Sequence, residues 1–267
     1  GGRIYDADVE QLPGSLVANA IVGSLAKKGF AVVNPGASPE LLSSAQAEVK
    51  RLEDSLKFEL PFAEIVDGLL GEEGSVRVCE IGTKATSGED FKEGPSLQDM
   101  DLKLNEISRS IALLASQHLG ISFKSRSPGL LHLTGTSEEE SPELTEMGAQ
   151  QWLDEFCNHK LMLLYFVGPG PSTLELEPFR YEDVPPHIVE TRPGMLVVIR
   201  TDTLLHKLTS PEKTAVLSCF LSQDTLDASR PDLIDETVVP CARELMRWIL
   251  ERIKQIKEKE VVGDDVP

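Results

Sequence analysis

The chain has 267 residues, 40% of them hydrophobic and 26% charged, a balance that is typical of globular proteins and leaves ample apolar sequence for a core. Its formal net charge of −18 repels nucleic acid phosphates and anionic lipid head groups, which excludes nucleic acid and membranes as partners. No apolar run approaches the roughly 18 residues of a transmembrane helix, and the first residues lack a signal-peptide core. We therefore expect a soluble intracellular protein, either cytoplasmic or organellar after removal of a transit peptide.

The first third of the chain predicts a helix, a strand and a second helix. Apolar residues recur at helical spacing over 14–28, and the apolar run 30–34 that follows is typical of a short strand. Ser38 is a suitable N-cap and Pro39 suits the first helical position, so a second helix is expected to begin there. Residues 61–71 also look helical.

The next segment combines a strand, a polar loop and a long helix. Residues 75–82 alternate in polarity like a strand, and residues 84–96 are polar and rich in turn formers. Residues 97–119 carry apolar side chains on one helical face, and Gly120 follows as a stop signal.

Six short apolar runs bounded by Gly, Pro, Ser and Asp follow, and they predict an antiparallel sandwich or barrel. The runs are 129–135, 161–167, 173–179, 187–192, 195–200 and 215–221. Between the first two, residues 137–158 form an acidic loop and a helix with Thr145 as its N-cap.

These patterns together predict an α+β chain with three parts. Residues 1–13 are an N-terminal extension, residues 14–223 form the main domain, and residues 224–267 form an amphipathic helix and an acidic tail. The four cysteines are far apart and include no CxxC pair, so we expect buried free thiols rather than disulfides or a zinc site. They are Cys79, Cys157, Cys219 and Cys241.

The order of these elements resembles the Fe(II)/2-oxoglutarate dioxygenases, especially their prolyl hydroxylase-like and phytanoyl hydroxylase-like branches. Three segments carry the resemblance: KKGFAVVNPGASPELLSSAQAEVKRL, KLMLLYFVGPG and TRPGMLVVIRTDTLLHKL. The similarity spans residues 14–222. It implies a double-stranded β-helix, a jelly-roll or cupin-like barrel, flanked by N-terminal helices and a C-terminal helix.

The same resemblance implies part of a metal site. In that family a His-x-Asp motif and a later histidine bind one face of Fe(II), and an arginine or lysine pairs with the far carboxylate of 2-oxoglutarate. His206 corresponds to the later histidine and Lys213 to the cosubstrate base.

The His-x-Asp motif is missing from this sequence. Its expected position holds Trp152-Leu153-Asp154, and no histidine of the chain is followed two residues later by Asp or Glu. Asp154, His132 and His159 could complete an irregular metal site with His206, with a further carboxylate from Glu175 or Glu177. The alternative is that His132 and His159 are hydrogen-bonded core histidines.

Three functions follow from this pattern. The first is a degenerate, non-catalytic oxygenase-like domain that needs no cofactor and serves as a binding or scaffold module. It would contact neighbouring domains or an acyl carrier through its C-terminal helix and its acidic insertion. The second is an active hydroxylase with Fe(II), 2-oxoglutarate and an atypical site, acting on a small or carrier-bound substrate. The third is a metal-free binder of cupin type that holds a sugar or ketoacid with Lys213 and Arg200.

Two of the strand segments carry a second resemblance. HKLMLLYF and PGMLVVIR are similar to domains attached to modular polyketide synthases of unicellular algae. This similarity implies a synthase module or its acyl carrier as the partner.

Overall fold

The computed structural model describes residues 4–81, 94–180, 184–223 and 238–263, with the backbone alone for 256–263. The predicted polar loop 84–96 therefore lies mostly outside the described residues, as do the loop after residue 223 and the last four residues of the tail. Among the described residues, no helix is both long and apolar enough to cross a membrane.

Helices occur in every region where the sequence predicts one. They are α1 (Gly14–Lys28), α2 (Pro39–Asp54), α3 (Val66–Leu69, after a 3-10 turn at Ala63–Ile65), α4 (Pro95–His118), α5 (Glu146–Asn158) and α6 (Pro240–Gly263). The prediction over 61–71 is only partly correct, because that stretch holds no more than the short turn and α3. The hydroxyls of Ser38 and Thr145 accept hydrogen bonds from Leu41 N and Gly148 N, as expected of N-caps.

The strands comprise the predicted ones and three more. They are β1 (Ala7–Asp8), β2 (Phe30–Asn34), β3 (Arg77–Ile81), β4 (Phe123–Arg126), β5 (Gly129–Leu133), β6 (His159–Gly168), β7 (Ser172–Pro178), β8 (His187–Thr191), β9 (Leu196–Arg200), β10 (Leu204–Thr209) and β11 (Ala215–Gln223). The sequence patterns did not reveal β1, β4 or β10. Strand β1 pairs in parallel with β2, so the expected N-terminal extension contributes to the sheet.

The strands form two sheets. The larger has the order β1-β2-β9-β6-β11-β5-β3, with β4 also paired to β11. The smaller has the order β10-β7-β8. All pairings except that of β1 with β2 are antiparallel, which agrees with the antiparallel arrangement expected from the short, closely spaced runs.

The central strands β6 and β11 of the larger sheet are buried on both faces, and because successive side chains of a strand point in opposite directions, they contribute to a separate apolar cluster on each face. In β6, Leu163 and Tyr165 belong to the apolar cluster beneath α1, α2 and α4, whereas Leu164 and Phe166 belong to a second cluster. The second cluster also contains side chains from β7, β10, α5 and α6. Helix α6 therefore packs onto the rest of the chain, and Arg252 on it pairs with Glu146 of α5 at 2.8 Å.

Candidate site at the edge of the small sheet

His206 lies on β10, one of the two edge strands of the small sheet. Alternation along the strand turns its ring inward, where only 9% of the residue is exposed. Its Nε2 hydrogen-bonds the carbonyl oxygen of Leu69. A carbonyl oxygen only accepts, so Nε2 carries the proton and Nδ1 of the neutral ring has a free lone pair. Burial lowers the pKa of His206, although the Leu69 hydrogen bond and the charge of Asp67 act in the opposite direction.

His159 begins β6 directly after α5 and is only 2% exposed. Its Nδ1 lies 2.9 Å from the carbonyl oxygen of Glu155, so this nitrogen donates and Nε2 has the lone pair. The ring packs against Phe220, with ring centroids 4.8 Å apart, and against the edge of Phe156. Burial is the main cause that lowers the pKa of His159 to about 3, which keeps the ring neutral at physiological pH.

His132 lies on β5 and has hydrogen bonds to both ring nitrogens. Ser75 Oγ lies 3.1 Å from Nδ1 and accepts from Leu70 N, so its own proton is directed to Nδ1. Ser218 Oγ lies 2.7 Å from Nε2 and is positioned to donate to the carbonyl oxygen of Leu130, so it accepts from Nε2. Burial, with a smaller contribution from His206, lowers the pKa of His132 to about 3. The ring is therefore neutral and has no lone pair left for a metal.

The structure brings only part of the expected metal site together. His159 and His206 line one cavity of about 390 Å³ between α3, the small sheet and the start of α6, whereas His132 does not line it. Asp154 lies on α5 and accepts a hydrogen bond of 3.1 Å from Gln150, away from that cavity. Within the described ranges, no three His, Cys, Asp or Glu side chains are placed to hold one metal ion.

The two expected cosubstrate residues lie elsewhere. Lys213 forms an ion pair with Glu53 and lines a separate cleft beside the end of β5. Arg200 pairs with Asp202 through two hydrogen bonds of 3.0 and 2.7 Å. Neither residue lines the cavity that contains His206.

The cavity itself is strongly acidic. Its described lining includes five carboxylates and a single lysine, Lys207. The carboxylates are those of Asp67, Glu72, Glu175, Glu177 and Glu244. The sequence indicated Glu175 and Glu177 as carboxylates near His206, but not the other three. Those three lie on α3, in the turn after α3 and on α6, and only the tertiary fold brings these elements together.

The thiol of Cys241 responds to this negative environment. Burial, with smaller contributions from the charges of Asp67 and Glu244, raises its pKa to about 12. The thiol is therefore protonated and is a poor metal ligand or nucleophile at neutral pH. All four cysteines are free and buried, as the sequence predicted.

These residues do not fit Fe(II) with 2-oxoglutarate. His159 and His206 each keep one ring nitrogen free, but Asp154 lies outside the cavity, and the described side chains include no group of three placed to hold one metal ion. The described lining offers one ammonium group against five carboxylates, which would repel a dicarboxylate cosubstrate.

No protein-family model and no curated protein matches the chain. Solved structures do match. A prolyl hydroxylase from Trichoplax adhaerens, in complex with a hypoxia inducible factor oxygen degradation domain peptide fragment, has a TM-score of 0.55 and 13% identity, covering 79% of this chain and 91% of its own. A prolyl-4-hydroxylase from Pseudomonas putida has a TM-score of 0.52 and 13% identity, covering 77% and 98%.

A third match is the non-heme alpha ketoglutarate dependent carbocyclase SnoK from nogalamycin biosynthesis. Its TM-score is 0.50 and its identity 13%, over 84% of this chain and 87% of its own. At this level of identity the similarity concerns the fold and does not extend to activity. The chain therefore has the fold of the 2-oxoglutarate/Fe(II) oxygenases.

Proposed function

We propose that this chain is a non-catalytic member of the oxygenase fold that acts as a binding or scaffold module. In this proposal β5 to β11 form a double-stranded β-helix whose iron site has been lost. The observation that carries the proposal is the hydrogen bond from His206 Nε2 to the carbonyl oxygen of Leu69. It uses the one histidine that matches the oxygenase motif to fix α3 against β10.

The position of α5 supports the loss of the other two ligands. The resemblance places the His-x-Asp motif shortly before β6, and there the chain forms the helix Glu146–Asn158. Trp152 packs against Phe156 with ring centroids 5.3 Å apart, and Asp154 bonds with Gln150. Among the described residues, no three His, Cys, Asp or Glu side chains are placed to hold one metal ion, and a site short of a third ligand would bind Fe(II) too weakly to be filled at cellular metal concentrations.

The charges around the cavity argue against an intact cosubstrate site. A 2-oxoglutarate-binding site needs a cation to pair with the far carboxylate. Lys213 is paired with Glu53, and Arg200 is paired with Asp202. The site therefore lacks the cation that would pair with 2-oxoglutarate, and the carboxylates that line the cavity would repel this dianion.

An anaerobic titration with Fe(II) and 2-oxoglutarate tests this proposal. The chelated ternary complex of an oxygenase has a weak visible charge-transfer band, and the Pseudomonas putida prolyl-4-hydroxylase serves as the positive control. We expect no such band from this protein even at millimolar iron. A band that His206→Ala abolishes and His118→Ala retains would refute the proposal, since His118 is an exposed residue at the end of α4.

A further inference from the structure

The acidic cavity has an excess of negative charge that the described residues do not neutralise. None of its five carboxylates takes part in an ion pair within the residues that the structure describes. They belong to separate elements, with Asp67 on α3, Glu175 and Glu177 on β7, and Glu244 on α6. Carboxylates facing one cavity repel each other, so a bound cation would relieve that repulsion.

The inner wall of the cavity adds two hydrogen-bond acceptors. His159 and His206 use one ring nitrogen each to donate to a backbone carbonyl, as described above. No described residue bonds to His159 Nε2 or to His206 Nδ1, although both residues are at least nine-tenths buried and line the cavity. Neither nitrogen is among the described atoms that are both fully buried and unpaired, so the two lone pairs are open to the cavity and can accept hydrogen bonds from a ligand with N–H groups.

The remaining lining is apolar. Leu204, Leu205, Val239 and Pro240 border the same space. A volume of about 390 Å³ lies at the lower end of the range of small-molecule pockets. The cavity thus combines two imidazole hydrogen-bond acceptors on its inner wall with carboxylates and aliphatic side chains.

We propose that this cavity binds a small organic cation that carries N–H donors on an aliphatic body, such as an alkylammonium or alkylguanidinium compound. The cation donates to the free ring nitrogens of His159 and His206 and pairs with Asp67 and Glu244. Anionic ketoacids are excluded, because they bring neither donors for the imidazoles nor positive charge for the carboxylates. This inference rests on the proposed non-catalytic function and specifies the ligand class of its site.

Calorimetric titration with four probes tests the ligand class. Agmatine carries both a guanidinium and an ammonium group, n-butylammonium carries the ammonium alone, n-butanol is its neutral counterpart, and 2-oxoglutarate is the anion. We expect agmatine to bind most tightly, n-butylammonium more weakly, and n-butanol and 2-oxoglutarate not measurably. Raising the salt concentration should weaken agmatine binding, because ions screen the partly exposed carboxylates. N-acetyl-lysine amide shows whether a peptide side chain can supply the same group.

Matched variants locate the binding site. Asp67→Asn and Glu244→Gln are exposed substitutions that should each weaken agmatine binding about three-fold, and about ten-fold when combined, which is the scale of partly exposed ion pairs. Glu138→Gln removes the same charge from the exposed acidic insertion and should leave the affinity unchanged. In NMR spectra, agmatine should shift the ring signals of His159 and His206, whereas those of His118 should remain in place.

The outcomes separate this inference from the proposed function. Equal binding of n-butanol and n-butylammonium, binding that the double variant leaves intact, or no binding of agmatine would overturn the cation inference. If the cation inference fails in this way and the iron titration gives no charge-transfer band, the proposed non-catalytic function still stands. Binding of 2-oxoglutarate together with Fe(II), accompanied by that band, would overturn both.

Discussion

The buried His132 gives a quantitative prediction for acid stability. In the folded protein its pKa is about 3, compared with 6.5 for an unperturbed histidine. The unfolded chain therefore takes up a proton near pH 6.5, whereas the folded protein does so only near pH 3, and stability falls as the pH drops below 6.5. Between about pH 7.5 and pH 5, this difference should lower the free energy of unfolding by about 2 kcal/mol.

The change to make is His132→Gln, because an amide can still hydrogen-bond Ser75 and Ser218 but does not titrate. This variant should lose stability at neutral pH through altered packing. Its stability should nevertheless fall by about 2 kcal/mol less than that of the wild type when the pH is lowered to about 5. Urea denaturation at several pH values, followed by circular dichroism, measures both quantities.

Comparing how steeply the free energy of unfolding changes with pH in the two proteins isolates the contribution of His132, because the many carboxylates titrate in both. His118→Gln, an exposed substitution, is the control and should keep the wild-type pH dependence. If His132→Gln and the wild type lose stability in parallel as the pH falls, then His132 is not held neutral by burial. The hydrogen-bond network assigned to it would then be wrong.

Two further predictions concern helix packing. The carboxylate of Glu48 accepts hydrogen bonds from the first turn of α4 and is 5% exposed, so Glu48→Gln should lower the free energy of unfolding by about 1 to 2 kcal/mol. Lys50→Ala, which removes an exposed ion pair, should change it by less than about 0.5 kcal/mol, and equal losses in the two variants would refute the capping role. Gly23 lies in open space on α1, so Gly23→Ala should raise the thermal midpoint of unfolding, because alanine favours a helix more than glycine does. Gly68→Ala should lower the midpoint, because the new Cβ collides with the ring of Phe156. The reverse order of the two midpoints would contradict the packing described here.

Much of the fold could be predicted from the sequence, because its signals are local. The six apolar runs all became strands, and Ser38 and Thr145 cap their helices through the hydrogen bonds that such residues usually form. Strand β10 was missed because His206 and Lys207 interrupt its apolar pattern, so the stretch after β9 lacked a continuous run. The period of two is present in Leu204, His206 and Leu208, which point inward, and could have revealed the strand.

The candidate site was less predictable, because its defining contacts are distant in the sequence. The bond between His206 and Leu69 joins residues 137 positions apart, and Glu244 reaches the cavity from the last helix. A histidine at a strand position matching a metal ligand does not reveal which backbone carbonyl its ring will meet. The missing His-x-Asp motif was visible in the sequence, whereas the acidic lining of the cavity required the fold.

The most direct test of the central claim is a crystal structure of the protein soaked anaerobically with Mn(II) and 2-oxoglutarate, with data collected for manganese anomalous scattering. We predict no anomalous peak beside His206, with its Nε2 within hydrogen-bonding distance of the carbonyl oxygen of Leu69. A manganese ion bound by His206 and two further side chains of this chain would contradict the claim that the fold has lost its metal site.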